Sequence, residues 1–233
     1  MIESTIIGFQ GKKQSGKDTS AKGLVKYMDM WARTKSVCSY SFADPLKKFI
    51  CMNALGLTYE QCYGTNEEKN TLTQYDWERM PLVIGNKYKV PTTFNNTTYY
   101  YPKRGKMSAR EIMQIVGTEI FREFFDNDIW VKSTFRTIEE QSPDVALIVD
   151  VRFPGEVEAI VAEGGYVVRL TRNVAGQDEH ESETALDDYD WSQHGDSIIL
   201  LDNSQMSIPD QEEATWDILK NKIKVEGLTD VSY

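Results

Sequence analysis

Thr5-Ile6-Ile7-Gly8-Phe9-Gln10-Gly11-Lys12-Lys13-Gln14-Ser15-Gly16-Lys17-Asp18-Thr19 runs from an apolar stretch, through a loop bounded by glycines, into a polar segment. It reads as strand, loop and helix start. Gly11, Gly16 and Lys17 fit G-x-x-x-x-G-K, the phosphate-binding P-loop, in the context that motif requires. The chemistry follows from the backbone. Glycine reaches angles closed to other residues. Successive N–H groups can then face one concavity at a helix N-terminus, where anions are favoured. Gly11, Lys13, Ser15, Gly16, Lys17, Asp18 and Thr19 therefore form the expected phosphate-binding segment, with Lys17 reaching the β- and γ-phosphates of a nucleotide. Asp18 stands where Ser or Thr usually follows the lysine, and Thr19 comes one residue later. An aspartate there can hold Mg²⁺ directly or through water, because Mg²⁺ prefers oxygen ligands and keeps several waters.

Working outward, four further apolar runs read as buried strands: 37–42, 145–151, 166–170 and 197–201. Helical stripes lie between most of them: Ala21, Leu24, Val25 and Met28; Leu46, Phe49, Ile50 and Ala54; Ile112, Ile115, Val116 and Ile120; Val157, Ile160 and Val161; Trp216, Leu219 and Ile223. Apolar strands alternating with helices imply an α/β fold, a mostly parallel sheet covered on both faces. Residues 57–106 break the rhythm. They are polar, rich in Asn, Thr and Tyr, and contain Pro81, Pro91 and Pro102. Here 88–90 and 97–101 can pair as a hairpin around Asn95-Asn96. This stretch reads as an insertion at the carboxyl edge of the sheet, where α/β proteins bind ligands. Residues 171–196 are acidic and loop-like, a candidate lid.

The 233 residues suit one α/β domain with an insertion, or two small domains. A net charge of -10 argues against a broad basic face for nucleic acid, though not against small phosphorylated substrates. Cys38, Cys51 and Cys62 show no metal-ligand spacing and fit free thiols in a reducing compartment. No apolar run approaches a membrane span, and the first strand begins almost at once. The expectation is a soluble, cytoplasmic protein.

Three further stretches carry candidate chemistry. The strand 145–151 ends in Asp150, with Arg152 just beyond. In P-loop proteins such an acid orients Mg²⁺ or its water. Ser108 to Thr118 places Arg110, Gln114, Gly117 and Thr118 on one face at 3.6 residues per turn, apart from the apolar stripe. A guanidinium matches a phosphate and an amide matches a base edge. Phe42-Ala43-Asp44-Pro45-Leu46-Lys47 ends a strand and opens a helix, with Asp44 as N-cap, Pro45 at the first helical position and Lys47 free to touch a phosphate. Beside the candidate lid stand Arg169, Arg172, Asp178, His180, Ser182 and Glu183. A transferring phosphoryl group calls for arginines brought in by closure, and Arg172 is the first choice.

Taken in order, these motifs resemble the bacteriophage deoxynucleoside monophosphate kinases. The resemblance rests on S-G-K-D-T (15–19), F-A-D-P-L-K (42–47), R-x-x-M-Q-x-x-G-T (110–118), D-x-W-V-K (128–132), D-x-R (150–152) and H-x-S-E (180–183). It implies a three-layer P-loop NTPase fold with a central parallel sheet: a kinase core of 1–56 and 107–233, a lid at about 171–196 and a substrate-binding insertion at 57–106. It implies Mg²⁺, with ATP as cosubstrate, a deoxynucleoside monophosphate as acceptor, and often a homodimer. If phage-encoded, the enzyme would act in the infected host's cytoplasm. Asp44, Lys47, Arg110, Gln114 and Thr118 would line the monophosphate site. Lys17, Arg152, Arg172 and Asp150 would be catalytic, with Asp18 and Asp150 toward the metal. Asp202-Asn203 would lie near the adenine, making Asn203 an ATP contact.

Two rival readings stay open. The loop is also similar to that of animal phosphomevalonate kinases, so a phosphorylated non-nucleotide is an alternative acceptor. A nucleotide-driven switch or ATPase is another. GTPases carry N-K-x-D, and neither Asn86-Lys87-Tyr88-Lys89 nor Asn221-Lys222-Ile223-Lys224 has the aspartate.

Overall fold

The computed structural model describes residues 2–172 and 184–223. The strands are β1 (Thr5–Gln10), β2 (Val37–Tyr40), β3 (Leu72–Asp76), β4 (Lys89–Phe94), β5 (Thr97–Pro102), β6 (Lys106–Ser108), β7 (Val145–Val151), β8 (Tyr166–Leu170) and β9 (Ile198–Leu201). The chain divides into two compact units. One is Met1–Phe42 with Val131–Tyr233, the other Ala43–Trp130.

The first unit is built on a five-stranded sheet in the order β2-β7-β1-β8-β9, with each neighbouring pair parallel. Side chains alternate along each strand, so both faces are buried. Ile7, Phe9, Val145, Leu147, Val168, Leu170, Ile199 and Leu201 face a core shared with Leu24 and Met28 of the helix Lys17–Trp31 and Trp216 of the helix Ile208–Ile218. Ile6, Ala146, Ile148 and Val167 face the opposite core, with Val131 and Ile138 of the helix Ile129–Gln141 and Val157 and Ile160 of the helix Pro154–Ala162. This is the expected three-layer α/β architecture. β1 lies at the centre, at the point where strand order reverses, so the loop leaving its carboxyl end sits where such folds bind ligands.

The helices Lys17–Trp31 and Ile208–Ile218 pack closely. A Cβ at Gly23 would stand 2.7 Å from the Glu212 side chain. Beside it Tyr27 stacks on Trp216 at 5.6 Å, and Lys26 pairs with Glu212 at 2.7 Å. The second strand ends at Tyr40, two residues before the expected end. Ser41 and Phe42 leave the ladder because they donate instead to the Asp150 carboxylate, at 2.5 and 2.9 Å. The candidate lid is described in part, at 171–172 and 184–196. From residue 184 onward Leu186 is buried in the sheet-face core, with Tyr189 and Trp191 packed against it. Asp178, His180, Ser182 and Glu183 lie outside the described residues.

The second unit starts earlier and ends later than the expected insertion, so Asp44, Lys47, Arg110, Gln114 and Thr118 all fall within it. Its core gathers Cys51, Cys62, Trp77, Met107, Ile112 and Ile115. β3 and β6 pair antiparallel, as do β4 and β5. The β4–β5 hairpin turns at Asn95 and Asn96, both at positive φ (46° and 59°), which asparagine tolerates. Leu46–Ala54 and Ile115–Arg122 are wound as π-helices, a rare geometry that is frequent at functional sites.

Candidate active site

The loop after β1 has the geometry its sequence demands. Gly16 caps the helix Lys17–Trp31 in the left-handed region (φ 101°), and Gln14 is also at positive φ, 62°. A Cβ at Gly11 would fall 2.4 Å from Ser15 Oγ and 3.2 Å from the Leu170 carbonyl oxygen, so only glycine fits. Ser15 N–H donates to the Lys12 carbonyl at 3.0 Å and closes the loop. The Lys17 ammonium lies over that loop, donating to the Gly11 and Lys12 carbonyls at 2.5 and 2.9 Å. Ser15 is wholly buried, and its Oγ has no hydrogen-bond partner among the described residues. Lys13 and Asp18 are exposed, and Thr19 is half-buried. Lys12 pairs with Asp187.

Beside this loop, β7 ends in Asp150. Gln10 and Val151 are register partners, so the acid stands next to the P-loop strand. Its carboxylate accepts from Ser41 Oγ and from the Phe42 N–H. Arg152 follows. Its backbone N–H and that of Phe153 both donate to the buried Glu156 carboxylate, at 2.7 and 3.1 Å, which fixes the entry to the helix Pro154–Ala162.

Two expectations change here. Arg172 is fastened: its guanidinium donates to the carbonyls of Asn203, at 3.1 and 2.8 Å, and of Met206, at 2.6 Å. Asn203 is 0% exposed, so its side chain offers no surface to an adenine. It faces the loop instead, donating to the Ser15 carbonyl at 2.6 Å. Arg169, by contrast, stacks on Trp191 at 4.1 Å. Its Nε and the Trp191 Nε1 are buried without hydrogen-bond partners among the described residues. Desolvation pushes the Arg169 pKa below its ordinary value. A buried guanidinium N–H without an acceptor is costly, and an anion would satisfy it.

In the second unit Asp44 does not cap its helix. Its carboxylate accepts from Lys48 at 2.7 Å and from the Tyr63 hydroxyl at 2.8 Å. Burial, then the bond to Asp44, pushes the Tyr63 pKa up. Lys47 lies over the Tyr63 ring at 4.7 Å. Arg110 donates to Asn70 Oδ1 at 3.2 Å and to Asn66 Oδ1 at 2.9 Å. Gln114 is half-buried and Thr118 exposed. Gly117 does not join their face. It is buried, a Cβ there would meet Leu46 Cδ2 at 2.7 Å, and its carbonyl accepts from Trp130 Nε1 at 3.0 Å. The reason is the change of winding. The α-helix Ala109–Gln114 becomes a π-helix at Ile115, so a phase counted at 3.6 residues per turn fails beyond that point. Asn66, Asn70 and Tyr63 were not among the expected site residues. Their signal was the polarity of the 57–106 stretch, which named no individual contact.

A glycine-shaped loop at the carboxyl end of a central parallel strand, with Asp150 near the end of the adjacent strand, is consistent with a P-loop NTPase-like fold. The family model of deoxynucleotide monophosphate kinases matches residues 84–208. The chain is 31% identical over 183 residues to a deoxynucleoside-5'-monophosphate kinase of Escherichia phage T5, covering 67% of this chain and 72% of the relative. It is 29% identical over 193 residues to a putative deoxynucleotide monophosphate kinase of Acanthamoeba polyphaga mimivirus, covering 78% and 81%. A deoxynucleotide monophosphate kinase of Escherichia phage RB69 is 24% identical over 246 residues, covering 85% and 94%. The chain belongs to the deoxynucleotide monophosphate kinase family. The phosphomevalonate-type and switch readings are not favoured.

Proposed function

We propose that this enzyme transfers the γ-phosphoryl group of ATP to a deoxynucleoside 5′-monophosphate, giving ADP and the deoxynucleoside diphosphate. The observation that carries the reading is the left-handed, glycine-shaped loop Gly11–Thr19 after β1, in a chain of this family. Backbone N–H groups of the loop and Lys17 hold the ATP phosphates. The acceptor oxygen belongs to an ionised phosphate, so no strong general base is required. Catalysis is alignment and neutralisation of charge. Asp18, Thr19 and Asp150 supply oxygen donors of the kind Mg²⁺ takes, directly or through water. Bound there with the nucleotide, Mg²⁺ would offset charge on the β- and γ-phosphates. The buried, unpartnered Ser15 Oγ and the glycine cradle support a phosphate-bearing ligand at this loop.

Arg110, Lys47 and Gln114 bind the acceptor in this reading, with Arg110 taking the monophosphate and Gln114 a base edge. Asp44 and Thr118 stay with that set, Asp44 acting through Tyr63 and Lys48. Arg152 carries charge of the transferring group. Arg172, fastened to carbonyls, serves the 202–206 loop, and Arg169 is the better second arginine. A homodimer goes with this reading. The exposed Phe94, Tyr99, Tyr100 and Tyr101 of the β4–β5 hairpin support it as apolar surface that gains from cover. The phage sources of two relatives support work in the cytoplasm of an infected cell. Among the described residues, no helix is long and apolar enough to cross a membrane.

The test is ADP release from Mg–ATP with each deoxynucleoside and ribonucleoside monophosphate, against a control without acceptor. Release that depends on a deoxynucleoside monophosphate is the expected result. Release without acceptor, or only with a phosphorylated non-nucleotide, would overturn the reading.

A further inference from the structure

Behind the phosphate loop lies a polar cluster that the reaction itself does not use. Asn203 Nδ2 donates to the Ser15 carbonyl at 2.6 Å and to Gln211 Oε1 at 2.9 Å. Gln211 Nε2 donates to the Gly16 carbonyl and to Ser20 Oγ, each at 2.8 Å. Thr215 Oγ1 lies 3.1 Å from Ser20 Oγ and donates to the Gln211 carbonyl at 2.7 Å. Asn203 Oδ1 accepts the Arg172 backbone N–H at 2.9 Å. Asn203 and Ser20 are 0% exposed, Gln211 and Thr215 1%. A Cβ on Gly16 would strike the Gln211 amide at 2.6 Å, so the helix Ile208–Ile218 presses its amide against the loop backbone.

The peptide group is planar and trans, so the C=O of one residue and the N–H of the next point in opposite directions. Drawing the Ser15 carbonyl back to Asn203 turns the Gly16 N–H away from the cluster. The Gly16 carbonyl accepts both the Ser20 N–H, at 3.0 Å, and the Gln211 amide, so Gln211 reinforces the helix start in turning the Lys17 N–H the same way. These are amides of the phosphate concavity. We propose that Asn203 and Gln211 are positioning residues that set the direction of the phosphate-binding N–H groups of Gly16 and Lys17, through their hold on two loop carbonyls. The inference rests on the loop being the ATP site. It also gives Asn203 a role that leaves the adenine aside.

Gln211→Glu keeps the shape and replaces the donor with oxygen facing the Gly16 carbonyl. Binding of Mg–ATP and of inorganic tripolyphosphate, which has no base, separates the roles. Losing a buried, fully desolvated donor corresponds to about a tenfold or greater weakening. The expected result is that both ligands weaken by the same factor, while KM for the deoxynucleoside monophosphate stays within about twofold, since those residues make no bond to this cluster. Asn203→Asp should behave alike. If Mg–ATP weakens and tripolyphosphate does not, the residues act on the base and the inference is wrong. If only thermal stability falls, with neither affinity changed, the cluster is merely structural and the inference is wrong. Thr215→Val removes the hydroxyl that meets Ser20 Oγ and the Gln211 carbonyl, and leaves both bonds to the loop carbonyls in place. Should Gln211→Glu fail to fold, it carries the same two-ligand test, with an expected weakening of about threefold. Lys17→Met, run in parallel, keeps the failures apart. If it abolishes tripolyphosphate binding while the cluster variants do not, only this inference falls. If it changes nothing, the assignment of the loop falls first.

Discussion

The residues that shape the phosphate loop and those that carry the proposed acceptor contacts are held by opposite means. Asn203, Gln211, Ser20 and Thr215 bond one another and the loop carbonyls with 1% exposure or less. Arg110 bonds Asn66 and Asn70 at the surface, and Asp44 bonds Lys48 there. Buried bonds in a low dielectric are strong and costly to break, so they fix one geometry. Surface bonds exchange readily with water and contribute little, so they can rearrange around an incoming ligand. The two designs suit the two substrates. A triphosphate presents the same oxygens at each turnover and rewards a rigid cradle. Acceptors differ in their bases and reward side chains that can shift.

The largest break in this contrast comes from Lys17, a long side chain on the rigid loop. Lys17→Met should lower kcat by about a thousandfold, as loss of a group aimed at developing charge does. The melting temperature should move little, because Lys17 is half-exposed and its bonds to the Gly11 and Lys12 carbonyls stay within the loop. Steady-state kinetics and a thermal melt check both halves. A kcat within tenfold of the parent would remove the loop from the reaction.

Next in size is the acceptor side. Arg110→Ala should raise KM for the deoxynucleoside monophosphate by about ten- to a hundredfold, the range for a lost charge-assisted bond. KM for ATP should change little. The double variant Asn66→Ala with Asn70→Ala leaves the guanidinium in place but untethered, and should cost about threefold in the same KM. Equal effects from the two variants would mean that Arg110 serves the local fold. Equal effects on the two substrates would dissolve the division of labour.

The phosphate loop was legible because its chemistry is local. Gly11, Gly16 and Lys17 belong to one short loop, and the strand before it is a continuous apolar run. The sheet followed for the same reason. What supports the loop was not legible: Asn203 and Gln211 come 188 and 195 residues after the carbonyls they hold, and only folding brings them together. The resemblance put Asn203 near the adenine, whereas its position just after β9 also suits bracing. Helical phase put Arg110 and Gln114 together, whereas Gly117 was misplaced where the winding changes to π. Asp44 read as a helix cap, since sequence does not reveal a long-range partner such as Tyr63.

The smallest effect concerns thiols and asks whether the adaptable acceptor surface rests on a rigid interior. Cys51 and Cys62 are 0% exposed in the core of the second unit, whereas Cys38 on β2 is half-buried. Burial, then the neighbouring Cys62, pushes the Cys51 thiol up from 9.0 to about 12. Burial also raises Cys62. A folded pKa above the unfolded one means that the native state keeps a proton the unfolded chain has lost. Cys51 therefore makes stability decline as pH rises from 9.0 toward about 12, with no contribution below that window. At pH 8 a thiol reagent should label Cys38 first, while Cys51 and Cys62 wait for the second unit to open. Peptide mapping over time measures the order. If a deoxynucleoside monophosphate slows labelling of Cys51 and Cys62 and Mg–ATP leaves it unchanged, acceptor binding tightens the unit that carries it. Prompt labelling of Cys51 in the free enzyme would mean that the interior is as adaptable as the surface, and the contrast would then separate two units rather than a surface from its support.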